Sequence, residues 1–418
     1  MEDYALALLF AIPLFTVLVF IEIIAAYIMK KDVIYSIDTV ASLSSGITNI
    51  LKDVLKITLI IFSYDFLYSN FHFINIKSSW ILIVITFIWK DFVGYWVHRF
   101  EHKVNYFWNR HLIHHSSEEF NLACALRQSI STFTSIFTVF YLPLAIIGVP
   151  TEVMGTVAAI HLFAQFWYHT RLINRMGFLE HIIVTPSHHR VHHAINDEYL
   201  DKNFSQIFII WDKWFGTFQE EMDSVPAVYG IKRASGTWNP VFINFQHLWL
   251  IIQDTWRAEK WKDKFLIWFM PTGWRPADVE AKYPVDYVKN PYEQVKYRPK
   301  TSKWLDSWAW IQMFFNTSLM LFLFYKIADI GSPDMYIYGF FVFFSVFSYS
   351  FLIDRSIHAW WIELLKSAIG IALIYHYGGW FSIDQFLPFG TIFVASYFIL
   401  SAVVVFLFVQ FDIKKTVR

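Results

Sequence analysis

The stretch WILIVITFIWKDFVGYWVHRFEH, residues 80–102, joins an apolar run to a pair of histidines. Residues 80–97 are close to the length of about 20 mostly apolar residues that a membrane-crossing helix needs. The run ends directly at His98, and His102 follows one helical turn later. Polar side chains at the end of a membrane helix predict a functional site at the edge of the bilayer.

Eight further runs have comparable apolar character, so the sequence predicts a polytopic, all-α membrane protein with nine spanning helices. Lipid admits only helices or closed barrels, and runs of this length favour helices. The distribution of basic residues predicts that the N-terminus lies outside, with the C-terminus and the histidines on the cytoplasmic side. The nine predicted spans are residues 6–28, 47–68, 80–97, 129–149, 153–168, 304–327, 335–353, 359–377 and 387–411.

Composition excludes several classes of protein. Of 418 residues, 56% are hydrophobic and only 16% are charged, which argues against a disordered chain. Lys plus Arg equals Asp plus Glu at 34 each, so there is no basic excess and we expect no nucleic-acid partner. The single cysteine, Cys124, excludes an intrachain disulfide framework and a cysteine-based metal site.

We divide the chain into four parts: N-terminal membrane helices (1–79), a histidine-rich core (80–220), an amphipathic cap (221–303) and a C-terminal membrane bundle (304–418). Residues 238–274 of the cap hold six tryptophans among charged residues. Tryptophan prefers the membrane interface, which favours an amphipathic helix lying there. The alternative is a soluble cytosolic cap with an apolar core.

Twelve of the 16 histidines lie between His98 and His193, and eight of them form three spaced groups. Residues three or four apart share one helix face, so we expect each group to direct its rings the same way. Imidazole is the commonest metal ligand, and eight are too many for one ion. The spacing predicts two metal ions held by His98 and His102, by His111, His114 and His115, and by His189, His192 and His193.

The metal's chemistry follows from its surroundings. Nitrogen-rich ligation suits iron, zinc, copper or nickel, and the absence of an HExxH motif gives no indication of a metalloprotease. A substrate in this setting is a lipid, and an unactivated C–H bond needs an oxidant that redox-inert zinc cannot supply. The hypothesis is a membrane di-iron oxygenase, a hydroxylase or desaturase. A histidine-rich metal transporter is the alternative from another class.

The pattern HxxxH, HxxHH, HxxHH, standing here as HRFEH (98–102), HLIHH (111–115) and HRVHH (189–193), resembles the fatty acid hydroxylase superfamily, also called the sterol desaturase family. Flanking stretches such as TPSHHRVHH (185–193) and IWDKWFGT (210–217) resemble its alkylglycerol monooxygenase branch. This resemblance implies O₂-dependent hydroxylation of the ether-linked carbon of a bilayer alkylglycerol, giving a fatty aldehyde and a glycerol derivative. It also implies two iron ions, with zinc the alternative in a purified form, and tetrahydropterin or another electron donor. Sterol, carotenoid or fatty acyl hydroxylation or desaturation are the alternatives.

The resemblance also extends the set of candidate residues. It implies His169 as a ninth ligand, with Gln165 at the place of a further imidazole and His161 as its replacement. Lys103 stands where the family leads us to expect an acidic residue. Two residues beside the histidine groups are candidates for an outer hydrogen-bonding or substrate-facing role, Asp91 and His188.

Overall fold

The computed structural model describes residues 2–57, 59–60, 63–74, 79–132 and 134–414. The regular secondary structure of these residues is helical apart from a two-residue parallel pairing of β1 (Leu59–Ile60) with β2 (Thr134–Ser135) and two isolated bridges, which confirms the all-α prediction. The helices are α1 (Glu2–Ile28), α2 (Ser36–Val54), α3 (Tyr64–Phe71), α4 (Trp80–Lys103), α5 (Asn105–Trp108), α6 (Leu112–His115), α7 (Leu142–Ile146), α8 (Thr151–Phe163), α9 (Pro186–His193), α10 (Ile210–Trp214), α11 (Pro240–Arg257), α12 (Trp261–Leu266), α13 (Ala277–Lys282), α14 (Lys303–Tyr325), α15 (Ile327–Ile330), α16 (Asp334–Ile353), α17 (Ala359–Tyr377) and α18 (Gly390–Phe408).

Short 3₁₀ turns and one π-helical turn complete the helical structure. The 3₁₀ turns are Leu122–Leu126, Phe137–Tyr141, Gly177–His181, Pro291–Glu293 and Ile383–Gln385, and the π-helical turn is Val409–Ile413.

Five helices in the described residues are long and apolar enough to cross a membrane: Tyr4–Ile28, Trp80–Lys103, Lys303–Tyr325, Asp334–Ile353 and Gly390–Ile413. Each matches one of the nine predicted spans, and together they support a membrane protein. The other four predicted spans are not confirmed. The protein's orientation across the membrane stays a prediction.

In the described residues, the four unconfirmed spans are divided, shorter than predicted or interrupted by charged side chains. Residues 47–68 divide between α2 and α3 around Lys56, whose φ is 52°, and positions 58, 61 and 62 lie outside the described residues. The predicted spans 129–149 and 153–168 overlap the shorter apolar helices Phe137–Ile146 and Thr151–Phe163, and position 133 is not described. Residues 359–377 do form α17, but it carries the charged pair Glu363 and Lys366.

The C-terminal helices form a bundle in which α14, α16, α17 and α18 bury one another's apolar faces. Glu363 and Lys366 pair inside it, and Glu363 also accepts a hydrogen bond of 2.7 Å from the Ser348 hydroxyl. Helix α2 packs on this bundle, where the Ser44 and Tyr349 hydroxyls lie 2.6 Å apart. Buried polar groups need partners in such surroundings, and these contacts supply them.

Helix α11 of the cap packs against α5 and α6. It buries Ile243, His247, Leu250 and Asp254, which recur at helical spacing, and Asp254 pairs with Arg275 at 2.6 Å. Trp256 and Trp261 on the outer side are 86% and 84% exposed. The cap therefore has one packed face and one exposed aromatic face, and its location at a membrane interface stays a prediction. The four-part division of the chain stays a prediction as well.

Candidate metal centre

The first histidine set brings five rings together from three parts of the chain. His98 and His102 share one face of α4, His111 and His115 share one face of α6 and its start, and His192 comes from α9. One ring nitrogen of each lies within 4.8 Å of the others, and the Nε2 atoms of His98 and His111 are 2.8 Å apart.

The second histidine set consists of His114, His169, His189 and His193, all buried. Their Nε2 atoms form a closed ring, with 3.3 Å between His114 and His169 and 2.9 Å between His169 and His189. The ring closes through His193, which lies 3.1 Å from both His189 and His114. All nine histidines predicted as ligands therefore lie in one of two sets, including His169.

The two HxxHH groups do not direct their rings one way, and this corrects the sequence expectation. Successive helical residues turn by about 100°, so neighbours such as His114 and His115 face different directions. His111 and His115 serve the first set, while His114 serves the second. In α9 the division is reversed, because His189 and His193 serve the second set and His192 the first. Each HxxHH group thus contributes to both sets.

Backbone carbonyls fix several of the rings. Nδ1 of His98 donates to the Phe204 carbonyl at 2.7 Å, and Nδ1 of His192 donates to the Lys202 carbonyl at 3.0 Å. Nδ1 of His169 makes a longer contact of 3.3 Å with the Phe166 carbonyl. A carbonyl only accepts, so each of these rings carries its hydrogen on Nδ1 and directs the lone pair of Nε2 inward. Metal-ligating histidines are oriented in this way by their outer hydrogen bonds.

Burial keeps the rings neutral. Burial, and then the neighbouring imidazoles, lower the pKa of His115, His192 and His193 well below the ordinary value. Burial also lowers the pKa of His169 to about 4. Neutral imidazole is the form that binds a metal ion.

The arrangement of the ring nitrogens suits metal coordination better than hydrogen bonding between the rings. The buried Nε2 atoms of His102, His115 and His192 have no hydrogen-bond partner among the described residues. In the second set, four Nε2 atoms make four close contacts, yet four such atoms can form at most two hydrogen bonds among themselves. A point equidistant from four nitrogens so spaced lies about 1.9–2.2 Å from each, close to the zinc–imidazole distance of about 2.0–2.1 Å. The histidine sets therefore suit two metal ions.

Aromatic rings cover the two sets. Phe204 lies 5.2 Å from His102 and 5.8 Å from His98, and Phe120 lies 5.1 Å from His193, all between ring centroids. Both phenylalanines are fully buried. They cover one side of each histidine set. Sequence reasoning missed both, because neither belongs to a repeated pattern.

The candidate residues beside the histidine groups have other partners. Asp91 accepts hydrogen bonds from the Trp211 indole at 2.8 Å and from the backbone of Ile207 and Phe208, and it contacts His161 at 2.9 Å. No ring of either set appears among these partners, so in the described structure Asp91 joins α4 to α8 and α10. Gln165 contacts Nδ1 of His161 at 3.0 Å, and neither residue belongs to a histidine set.

His188 and Lys103 also lie outside the two sets. Nδ1 of His188 accepts a hydrogen bond of 3.3 Å from the Thr185 backbone, which closes the start of α9. Lys103 pairs with Asp201 at 2.6 Å, and the other oxygen of Asp201 lies 3.7 Å from Nδ1 of His102. The acidic group near His102 therefore comes from a distant loop, where no sequence signal points to it.

A buried ion pair supports the loop after His115. Arg127 contacts Asp38 at 2.6 Å and donates to the Ser116 hydroxyl at 2.8 Å, while the Ser117 hydroxyl donates to Asp38 at 2.8 Å. Ser116 and Ser117 directly follow the second histidine group, HLIHH (111–115). The Asp38–Arg127 pair thus connects α2 to the histidines of α6.

Comparison with known proteins agrees with this geometry. The family model described as fatty acid hydroxylase matches residues 83–217, which contain all nine histidines. The chain is 33% identical over 374 residues to an alkylglycerol monooxygenase of Danio rerio, covering 88% of this chain and 82% of that protein. It is 32% identical over 373 residues to the Homo sapiens alkylglycerol monooxygenase, with the same shares covered. An ornithine lipid hydroxylase, OlsE, of Rhizobium tropici is 28% identical over 141 residues, 32% of this chain and 41% of that protein. No solved structure matches the chain.

Proposed function

The chain belongs to the alkylglycerol monooxygenase family, and on that premise we propose that it holds two iron ions and hydroxylates the ether-linked carbon of an alkylglycerol. Its relatives are monooxygenases and lipid hydroxylases by name, so the chain is a membrane oxidoreductase acting on lipid. One observation carries the proposal further: two sets of histidine nitrogens, with eight of the nine residues buried, converge at adjacent points.

The described residues divide the work of such a site. The five rings of the first set would hold one ion and the four rings of the second set the other. When bound, the metal pair supplies reductive activation of O₂. The protein keeps the imidazoles neutral and aimed, and Phe120 and Phe204 keep water away. Exclusion of water protects a reactive site from side reactions.

The overall reaction balances with an external two-electron donor, for which we propose a tetrahydropterin. One oxygen atom of O₂ enters the C–H bond next to the ether oxygen, and the other leaves as water with two electrons and two protons. The product is a hemiacetal, which collapses to a fatty aldehyde and a free glycerol hydroxyl. The lipid comes from the bilayer, and the proposed location of the site is the cytoplasmic side.

The proposal is tested with protein purified without oxygen and analysed for metal. We expect two iron ions per chain. With ¹⁸O₂, a tetrahydropterin and an alkylglycerol as reactants, we expect ¹⁸O in the fatty aldehyde. Rapid reduction of the aldehyde limits the exchange of its oxygen with water. Product from a sterol, carotenoid or acyl lipid but not from an ether lipid would overturn the proposal that the substrate is an alkylglycerol. Metal uptake into vesicles without lipid-dependent oxygen consumption would favour transport instead.

A further inference from the structure

An apolar cavity lies between α1, α2 and α14, outside both histidine sets. Its wall includes Phe15 and Thr16 of α1, Gly46 of α2, Thr317 of α14 and Leu126. The hydroxyls of Thr16 and Thr317 each donate to a carbonyl of their own helix, at 2.8 and 2.9 Å. These threonines therefore present no free polar group, and the cavity suits hydrocarbon rather than a polar headgroup.

The cavity lies at the depth of lipid tails. Its α1 residues fall near the middle of a helix that runs from Glu2 to Ile28, and α14 is another spanning helix. Phe314, which also lines the cavity, is 41% exposed on the outside of α14. The space between α1 and α14 is therefore next to the hydrocarbon of a surrounding bilayer.

Two α1 residues, Phe15 and Glu22, contact residues that neighbour the second histidine set. The ring of Phe15 lies 4.7 Å from that of Phe166, whose carbonyl is next to Nδ1 of His169. Farther along α1, Glu22 accepts hydrogen bonds from the Thr170 hydroxyl at 2.5 Å and from the Leu122 backbone at 2.6 Å. Glu22 lies six residues beyond Thr16, a rise of about 9 Å along the helix. The cavity thus lies near the middle of α1, and the Glu22 end of that helix leads towards the histidines.

We propose that this cavity holds the alkyl chain of the lipid substrate, with the chain end at mid-membrane and the head towards the Glu22 end of α1. This rests on the proposed function and deepens it. A lipid bound in this way keeps the depth it has in the bilayer, and its first carbons point towards His169 and its partners. The wall of Thr16, Gly46 and Thr317 then limits the length of chain that the protein accepts.

The test uses an alkylglycerol whose chain end carries a photoactivatable diazirine, with the full-length protein in lipid nanodiscs. Irradiation followed by peptide mass spectrometry is expected to place adducts on the cavity-facing residues of α1 and α14. Thr317→Phe fills the cavity, and we expect it to reduce this labelling about tenfold and to shift turnover towards shorter alkyl chains. The matched control is Ser318→Phe, which adds the same ring at the next position, where the side chain is exposed.

The outcomes separate this proposal from the function on which it rests. Adducts confined to the outer helix faces or to the cap of the unsubstituted protein would overturn it, whether or not Thr317→Phe folds. Equal labelling of folded Thr317→Phe and Ser318→Phe would also overturn it, even with full turnover. Cavity adducts in a protein that oxygenates no ether lipid would retain the chain site and reject the proposed function.

Discussion

The Nε2 atoms of His114 and His193 lie 3.1 Å apart, although 79 positions separate the two residues in the chain. Their sequence neighbours His115 and His192 belong to the other histidine set. Two short helices, α6 and α9, therefore each supply ligands to both proposed metal sites. The sites are coupled through the backbone, since a displacement of either helix moves rings in both.

Alanine substitutions at neighbouring histidines should remove different metal ions. His114→Ala leaves the second set with three rings, and His115→Ala leaves the first with four. We expect each to reduce iron from two ions towards one per chain and to abolish turnover, because the metal pair acts as a unit. Metal analysis of the folded variants provides the measurement. His188→Ala is the matched control, since this neighbouring histidine lies outside both sets, and it should retain two ions. Full metal content and turnover in His114→Ala would show that the ligand assignment is wrong.

The Asp38–Arg127 pair should be essential for stability. Arg127→Met leaves Asp38 buried without its partner, and breaking a buried pair in this way costs about 3–5 kcal/mol. We expect a clear drop in the thermal unfolding midpoint, followed by tryptophan fluorescence in detergent, together with loss of metal because Ser116 loses its donor. Lys282→Met is the control, since its pair with Glu259 is more than half exposed on both sides and should matter little. Equal midpoints for the two variants would refute a supporting role for Arg127.

The Glu363–Lys366 pair inside the C-terminal bundle should affect stability but not metal content. Lys366→Met alone leaves Glu363 buried without its partner, so we expect a loss of about 3–5 kcal/mol. Adding Glu363→Gln removes the unpaired carboxyl group and should recover part of the unfolding midpoint. Iron content of the protein that still folds should not change. A double variant no more stable than Lys366→Met would show that pairing is not what stabilises this bundle.

Phe204 should keep oxygen activation coupled to product formation. Phe204→Ala opens the first histidine set to water, and we expect oxygen consumption to exceed aldehyde formation. An oxygen electrode and product analysis on the same sample measure the ratio. Phe178→Ala, at a ring that is 72% exposed, should leave the ratio unchanged. An unchanged ratio of oxygen consumption to aldehyde formation in Phe204→Ala would show that Phe204 does not act by excluding water.

Local patterns were sufficient to predict five long apolar helices and the nine histidines that the structure gathers in two sets. The spacing of His111, His114 and His115 depends only on helical geometry, and a long apolar run such as Tyr4–Ile28 predicts its own helix. The assignment of rings to two sets could not be predicted, because it depends on how α4, α6 and α9 face one another. The same holds for Asp201 beside His102, a contact across 99 positions that no local signal marks. Four predicted spans stay unconfirmed, two of them where the described residues form shorter apolar helices, since composition alone does not show where a helix ends.

The proposed metal centre requires that two separate sets of imidazoles each hold a metal ion. X-ray absorption at the iron edge, with the metal-to-protein ratio of the same anaerobic sample, tests it most directly. We expect two iron ions per chain and a nearest ligand shell dominated by nitrogen. Both His114→Ala and His115→Ala should lose nitrogen scattering or iron. Protein that folds and oxygenates lipid with one ion or none per chain, or with a shell dominated by oxygen or sulfur, would contradict it.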